Sequence, residues 1–482
     1  MRSPVHLFLA TALALPVATF SIPSAWAQAA PPVAAPADGT AAQAVSDEAD
    51  KPQGVAGIYV WDGRRRKGES RPSDVSGGTS DGDGATNVTI KSTTPEISGV
   101  VVRGAGTTYT MFGSHISLNG DSAGAVPRLG AGAVIEDGAT LVVHRGDITT
   151  EGLIRPAVLV GAHGVLRVNG ATLTARGGKL PAGYQPRDGV AAAQPPADLH
   201  IGGTARTVLL GAGSQSYFDH TILVANGWGA LSTEDAGGPT YIEATDCTIQ
   251  VGGPGYGLYL ADQGRAMLTH TSINAQTYGA VMAGASAMAF DDVTVNASGN
   301  AILVRGGAAD GVPTLTVKGG TLESGREAIL LQGANLILSL DGATLKPWNG
   351  VLLHTVAAPG ALAGAPHVVA AADREGAAVP GVTVLLTHMI VKGDIVHEDT
   401  ARPMMVQMQD TILKGRIQAA SLRLGPGARW VATGDSAVTL LGTIPEGGLD
   451  VATGITVTAT SADGSVPKGT YKATSGGTLI VH

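Results

Sequence analysis

One short phrase recurs along the chain and limits the fold more than any other feature. In Cys247-Thr-Ile-Gln-Val251 and Thr271-Ser-Ile-Asn-Ala275, an aliphatic residue follows a small or polar pair. This aliphatic residue recurs at Ile148, Leu173, Leu223, Ile249, Ile273, Val295, Leu322, Leu345, Val391 and Leu413. The steps are 22–27 residues, except for two of 50 and 46 residues, which we interpret as two periods each. Such a period without a helical pattern predicts a solenoid, whose repeats bury their apolar faces against their neighbours.

Each period contains three short β phrases. The clearest repeat has them at 257–260, 266–268 and 271–275, and the next repeat has them at 279–282, 287–290 and 293–297. Three strands with no helix between them predict that each strand stacks on its counterpart one period later. The predicted fold class is therefore all-β, a right-handed parallel β-helix with three strands per coil of about 24 residues, the handedness following from strand twist and the fold class.

Two columns of this alignment predict side-chain directions. The residue after the aligned aliphatic is polar in every repeat but one, Val224, so this column should face solvent. Within it, Glu323 should lie beside Lys346 as a cross-strand charge pair. The residue three positions before the aliphatic is Arg145, Gly170, His220, Asp246, His270, Asp292, Gly319, Gly342, His388 or Asp410. We interpret this second column as turn residues that tolerate a left-handed backbone, rather than as metal ligands or acid–base groups.

The composition indicates one long repetitive body preceded by a leader. The 482 residues include 69 glycines, with 44% apolar and 15% charged residues. Residues 1–27 have a basic start, an apolar stretch and an A-x-A cleavage site, and are predicted to be a signal peptide. Residues 28–53 are rich in Ala and Pro and should form a flexible linker, and residues 54–482 the β-helix. No later segment is a candidate membrane helix, and the single Cys247 allows no internal disulfide.

The net charge and the two long stretches that interrupt the repeats indicate which partners are expected and where they would bind. The net charge of −8 disfavours nucleic acid or an anionic membrane as a partner. The chain is expected to be a monomer. The stretches 177–198 and 355–381, rich in Ala, Pro and Gly, should loop out of the wall, where binding residues are commonly found.

No catalytic constellation is recognised in the sequence. Polygalacturonase-like enzymes share several phrases, of which only an Asp pair occurs here, as Asp291-Asp292. No nucleophile elbow, zinc motif or phosphate loop is present, so no catalytic residue, metal or cofactor is predicted. The alternative is a polysaccharide lyase or glycoside hydrolase that uses the groove near Asp291, Asp292 and His270.

The remaining short motif is Arg145-Gly146-Asp147, which the sequence places at a turn between two strands. A cation and an anion on either side of a glycine suit a receptor that carries a metal ion. Gly-Asp is also ordinary turn chemistry. These three residues are the candidate ligand-binding site.

The last hundred residues resemble the C-terminal end of pertactin-like autotransporter passengers. The similarity rests on 422–424, on 428–440 with Trp430 and Ser436, and on 468–481. The resemblance implies a parallel β-helix exported by a Gram-negative bacterium, either secreted or at the cell surface or outer membrane, with the periplasm as an alternative. It implies an adhesin or virulence-type passenger that binds a host receptor or glycan without catalysis. Family members carry a C-terminal transmembrane barrel, and the sequence to His482 lacks the alternating segments of one, so we expect either a truncated or separately secreted passenger, or export by another component.

Overall fold

A computed structural model describes residues 55–482 except 123–129, 181, 183–191, 235, 307–310 and 359–380. The described chain is all-β and winds as a parallel β-helix, as the sequence predicts. Each coil contributes up to three strands, and with one interruption on the second face the strands pair in parallel with their counterparts in neighbouring coils. The predicted signal peptide and linker lie outside the described residues.

The strands form three faces, which we name in the order in which the chain visits them. Face A contains Gly84–Thr86, the first halves of Thr108–Asn119 and Thr140–Glu151, Val165–Asn169, Gln215–Asp219, Thr240–Thr245, Gly264–Thr269, Ala287–Asp291, Thr314–Lys318, Leu336–Asp341, Val382–Thr387, Met404–Gln409, the second half of Ile417–Leu424, Ser436–Leu440, Thr456–Ser461 and Thr478–Val481. Face B contains Thr89–Ser92, the second halves of Thr108–Asn119 and Thr140–Glu151, Thr172–Ala175, Ile222–Ala225, Thr248–Val251, Ser272–Ala275, Thr294–Ala297, Thr321–Ser324, Thr344–Pro347, Ile390–Lys392, Ile412–Lys414, Arg429–Ala432 and Leu449–Val451. Face C contains Ala56–Trp61, Ser98–Arg103, Ala133–Glu136, Val158–Val160, Arg206–Leu210, Trp228–Ser232, Gly255–Leu260, Tyr278–Ala283, Asn300–Arg305, Ile329–Gln332, Val351–Val356, Asp394–His397 and the first half of Ile417–Leu424.

A few short elements depart from this pattern. Arg64–Arg65, Val75–Ser76 and Thr79–Ser80 pair antiparallel with strands of the first coils, and Gly469–Lys472 pairs antiparallel with Thr478–Val481. Within the described ranges, 3₁₀ helices occupy Pro72–Asp74 and Ala197–Leu199. Antiparallel strands at both ends of the described solenoid cover edges that would otherwise be open for pairing.

The repeated aliphatic residues form one column of face B, as the alignment predicts. Ile148 is the register partner of Leu173, and the column continues through Ile249 and Ile273, whose side chains are fully buried. The interpretation of the two long steps as two periods each is wrong. Leu173 pairs directly with Leu223, so the 50-residue step is a single coil that carries a long insertion. The 46-residue step is also one coil, because Leu336–Asp341 pairs directly with Val382–Thr387.

The corner between faces A and B confirms the interpretation of the second column. All ten of its members have positive φ angles, from 46° at His270 and Asp410 to 63° at Gly319 and Gly342. A left-handed residue turns the chain sharply without breaking the side-chain alternation of the strands on either side. The prediction for the solvent-facing column is also largely confirmed, although Thr174 is buried. Glu323 and Lys346 are register partners, but their side chains form no ion pair.

Face B is interrupted between Thr344–Pro347 and Ile390–Lys392, where two successive coils stack without pairing as a sheet. An apolar void of about 20 Å³ lies inside the solenoid at this point, lined in part by Leu345, Leu352 and Val391. Residues 357–381 connect Val351–Val356 to Val382–Thr387 in the same coil, and 359–380 lie outside the described chain.

The first insertion spans residues 176–205, and its described residues, 176–180, 182 and 192–205, lie as a strap on the outside of face C. Its Ala192 and Leu199 pack in an apolar cluster with Trp228, Val281 and other outward-facing residues of four successive coils. The Tyr278 hydroxyl donates to the Leu199 carbonyl oxygen at 3.3 Å, and Asp198 forms an ion pair with Arg305. The described part of this insertion is therefore packed against the outer surface of face C.

A buried arginine links the first coils through hydrogen bonds to backbone carbonyl groups. Arg155 is fully buried, and its guanidinium donates to the carbonyl oxygens of Ile97, Gly120 and Gly130, each at 2.6 Å. Burial lowers the pKa of Arg155 to about 10. Because these carbonyls belong to three different stretches of chain, one side chain satisfies acceptors that the parallel ladder leaves open.

We expect Arg155→Met to lower the free energy of unfolding by at least about 3 kcal/mol, because three carbonyl oxygens lose a charged donor. Urea titration followed by circular dichroism measures the change. The control is Arg176→Met, which removes an exposed guanidinium and should change stability by less than about 0.5 kcal/mol. Equal loss in both variants would contradict the role assigned to Arg155.

Candidate ligand-binding site

The tripeptide Arg145-Gly146-Asp147 lies within the continuous strand Thr140–Glu151, at its bend from face A to face B. Gly146 has a φ of 93°, and a Cβ there would lie 2.1 Å from the Ser114 carbonyl oxygen. The Arg145 guanidinium lies 5.7 Å from the centroid of the Phe112 ring, and the Asp147 carboxylate bonds to His115. Both charged groups thus contact the preceding coil, and their side chains remain partly or fully exposed.

Imidazoles and carboxylates alternate at the same corner along four later coils, which begin after the coil of Gly170. His220 Nε2 lies 3.9 Å from Asp246 Oδ2, Asp246 Oδ1 lies 3.7 Å from His270 Nδ1, and His270 Nε2 lies 4.0 Å from Asp292 Oδ2. The donor atoms of Asp219, His220 and Asp246 lie within 4.8 Å of one another, a set that could hold a metal ion. All of these side chains are largely exposed. In water, such separations contribute little to stability.

The residues of the catalytic alternative lie in this same row. His270 and Asp292 face each other across neighbouring coils, while Asp291 lies 3.8 Å from the Lys318 ammonium. The structure thus brings the three residues together on an open surface. Cys247, beside Asp246, points inward instead and is 3% exposed. Burial raises the pKa of its thiol to about 11, so the thiol is protonated at neutral pH.

A shallow groove of about 340 Å³ lies on face A beside this corner. Its lining consists of Val142, His144, Arg167, Val168, Asn169, Tyr217, Phe218, Asp219, Glu243 and Thr245. These residues come from the strands of four successive coils, in which every second side chain points outward. Each coil therefore contributes one or two polar or aromatic groups to the groove.

The polar groups of the groove are held by one another. The Arg167 guanidinium lies 4.3 Å from the centroid of the Tyr217 ring, and the Tyr217 and Tyr241 rings are 5.7 Å apart at 55°. The Tyr241 hydroxyl donates to Glu243 Oε2 at 2.8 Å, and the Asn169 amide donates to Asp219. Burial raises the pKa of both tyrosines, which keeps their hydroxyls protonated as donors. The surface thus offers an aromatic ring, a cation, carboxylates and an amide in fixed positions.

This groove is not predicted from the sequence. The signal was present in the outward positions of consecutive face A strands, where Arg167, Tyr217 and Glu243 replace the small residues found in later coils such as Ala287–Asp291. Recognising it requires the register between strands, because Arg167 and Tyr217 are separated by the strap insertion in the sequence.

Further along the corner, His388 Nδ1 lies 2.7 Å from Asp341 Oδ1. This hydrogen bond, together with the negative charges of Asp341 and Asp410, raises the pKa of His388 above its usual 6.5. A raised pKa means that the stabilisation is complete below pH 6.5 and is lost as the pH rises through the pKa of the folded state.

We expect an NMR titration of the full chain to give His388 a pKa above 6.5, and Asp341→Asn to lower that pKa. Asp435→Asn removes a remote exposed carboxylate and should leave the His388 titration unchanged. If Asp341→Asn does not alter the titration, the pair does not form in solution.

The late segment that carries the family resemblance forms coils of the same solenoid. Trp430 is fully buried, and its indole N–H donates to the Gly415 carbonyl oxygen at 2.9 Å. The Ser436 hydroxyl accepts a bond from the Ile417 backbone N–H at 3.3 Å. Among the described residues, none of the helices is long and apolar enough to cross a membrane. No protein-family model matches the chain, and no curated protein matches it with significant similarity.

Proposed function

We propose that this protein is an exported, non-catalytic β-helix of the pertactin-like passenger kind, which binds a saccharide in the face A groove around Tyr217. The groove is the observation that carries the proposal. Ligand sites combine a concave surface with a few convergent polar groups on a rigid scaffold, and this groove has that composition.

The chemistry of the groove favours a sugar over other small ligands. Tyr217 is held in place by Arg167 on one side and Tyr241 on the other, so the aromatic pair offers ring edges and hydroxyl groups to the apolar and polar positions of a pyranose. Glu243, Asp219 and Asn169 provide acceptors and donors for hydroxyl groups around that ring. Because parallel strands fix these groups, little entropy is lost on binding.

Export to the cell exterior is part of the same proposal. It rests on the leader-like sequence of residues 1–27 and on the resemblance of the late coils to pertactin-like passengers. The Arg145-Gly146-Asp147 corner is a second contact point for a host receptor, with both charged side chains accessible to solvent. It lies one coil before the strand that carries Arg167.

We expect binding to a glycan array, followed by titration calorimetry with the best ligand, to show that Tyr217→Ala raises the dissociation constant at least tenfold, about 1.4 kcal/mol. Tyr471→Ala is the matched control, because Tyr471 is a partly exposed tyrosine in the C-terminal antiparallel strand. Equal affinity of the Tyr217→Ala and wild-type proteins would overturn the groove as the binding site.

The purified protein also serves to test the two other candidate functions, receptor binding by the tripeptide and catalysis on a polysaccharide. Adhesion of cells to immobilised protein tests the tripeptide, and unchanged adhesion to an Asp147→Glu variant would remove it from the proposal. Incubation with uronic-acid polysaccharides tests the catalytic alternative. New reducing ends or unsaturated products that disappear in Asp292→Asn would replace binding by catalysis.

We expect fractionation of a Gram-negative host that expresses the full chain to place the protein outside the cytoplasm, in the culture medium, the outer-membrane fraction or the periplasm, because the leader directs export across the cytoplasmic membrane. Mass spectrometry should then show an N-terminus after Ala27. An Ala25→Arg, Ala27→Arg variant, which blocks the predicted cleavage site, serves as the control. Uncleaved wild-type protein in the cytoplasm would contradict export.

A further inference from the structure

Three lysines lie in one column on the outer surface of face B. Lys392 and Lys414 are register partners in neighbouring strands, and Lys346 holds the same position in the coil before them. All three side chains are exposed. Lys392 and Lys414 lie on paired strands about 4.8 Å apart, so their like charges lie side by side, an arrangement that disfavours the folded state, while Lys346 lies across the interruption of face B.

Local carboxylates do not neutralise this column. None of the three lysines forms an ion pair with a residue in the described part of the chain. Asp394 is paired with Arg416 at 3.3 Å, and Asp450 is paired with Arg429 at 3.3 Å. Glu323 is the register partner of Lys346, which leaves Lys392 and Lys414 without an acidic partner.

Two large apolar side chains stand beside the lysines. Trp348 is 80% exposed and Ile390 is 82% exposed. Trp348 lies two residues after Lys346, and its backbone N–H donates to the Ser324 carbonyl oxygen at 2.9 Å. The backbone is therefore fixed while the indole ring lies in solvent, on the edge of the lysine column.

We propose that this surface, Lys346, Lys392 and Lys414 with Trp348 and Ile390, binds a linear acidic polysaccharide along the column. Each lysine pairs with a carboxylate or sulfate group, and Trp348 stacks on the apolar face of one sugar ring. The surface is on face B and shares no residue with the face A groove, so it does not depend on the function proposed for that groove.

The geometry favours a linear polymer over other anionic partners. The paired strands place Lys392 and Lys414 about 4.8 Å apart, which is close to the length of one sugar unit in an extended 1,4-linked chain, and Lys346 adds a third charge one coil away, across the interruption of face B. A membrane-binding surface needs apolar residues spread over a wide face, whereas this column is one residue wide.

The test uses the full chain and two probes, polygalacturonate and immobilised heparin, at low salt. We expect both to bind, and Lys346→Gln, Lys392→Gln and Lys414→Gln together to raise the dissociation constant about tenfold or more, with elution at lower salt. The matched control replaces Lys67, Lys91 and Lys468 by Gln. These lysines are also exposed and unpaired among the described residues, so the control makes the same change in net charge elsewhere. Its affinity should remain close to that of the wild-type protein.

Trp348→Ala should weaken binding several-fold without changing its salt dependence, because the ring contributes no charge, and Tyr217→Ala should have no effect. The proposal fails if the wild-type protein binds neither probe, or if the control variant loses as much affinity as the column variant. It also fails if single-stranded DNA or anionic vesicles bind as tightly as the polysaccharides, since the surface would then recognise negative charge alone.

Discussion

The left-handed residue at the corner between faces A and B is the constraint on which the solenoid depends. From Arg145 to Asp410, the corner residue of the aligned coils has a φ between 46° and 63°. Because the chain turns in one residue, the side chain before the corner points outward and the side chain after it points inward in these coils. One inserted residue at the corner would exchange the core and solvent sides of the following strand. Gly, Asp and His tolerate this backbone conformation. This tolerance explains why the column is rich in these residues, and no metal-binding or acid–base role is needed to account for them.

Periodicity was sufficient to predict the fold. The aligned aliphatics from Ile148 to Leu345 are register partners in the structure, because a buried column selects the same residue type in every coil. The long steps were misread, since spacing alone cannot distinguish an extra coil from an insertion. The groove around Tyr217 was not predicted because its residues converge only through the register. Arg155 was also missed, because the carbonyl oxygens that it binds have no signature in the sequence.

Charge is distributed by face rather than by segment. The corner and the face A groove carry carboxylates with imidazoles, an arginine and tyrosines, whereas the late coils of face B carry lysines. In a parallel β-helix each outward column is independent of the others, because the backbone ladder and the interior hold the coils together. Columns can therefore differ in charge and ligand without affecting the core, which is why we assign two ligand classes to two surfaces.

The strap on face C also sets an order of events during folding. The aligned corner residues of coils without an insertion are 22–27 residues apart, so coils can be added one at a time to those already formed. The strap contacts span much longer loops, since Asp198 and Arg305 are 107 residues apart. Closing such a loop before the intervening coils exist costs entropy that no other contact offsets. The strap should therefore dock last, and its burial marks the completion of the coils beneath it.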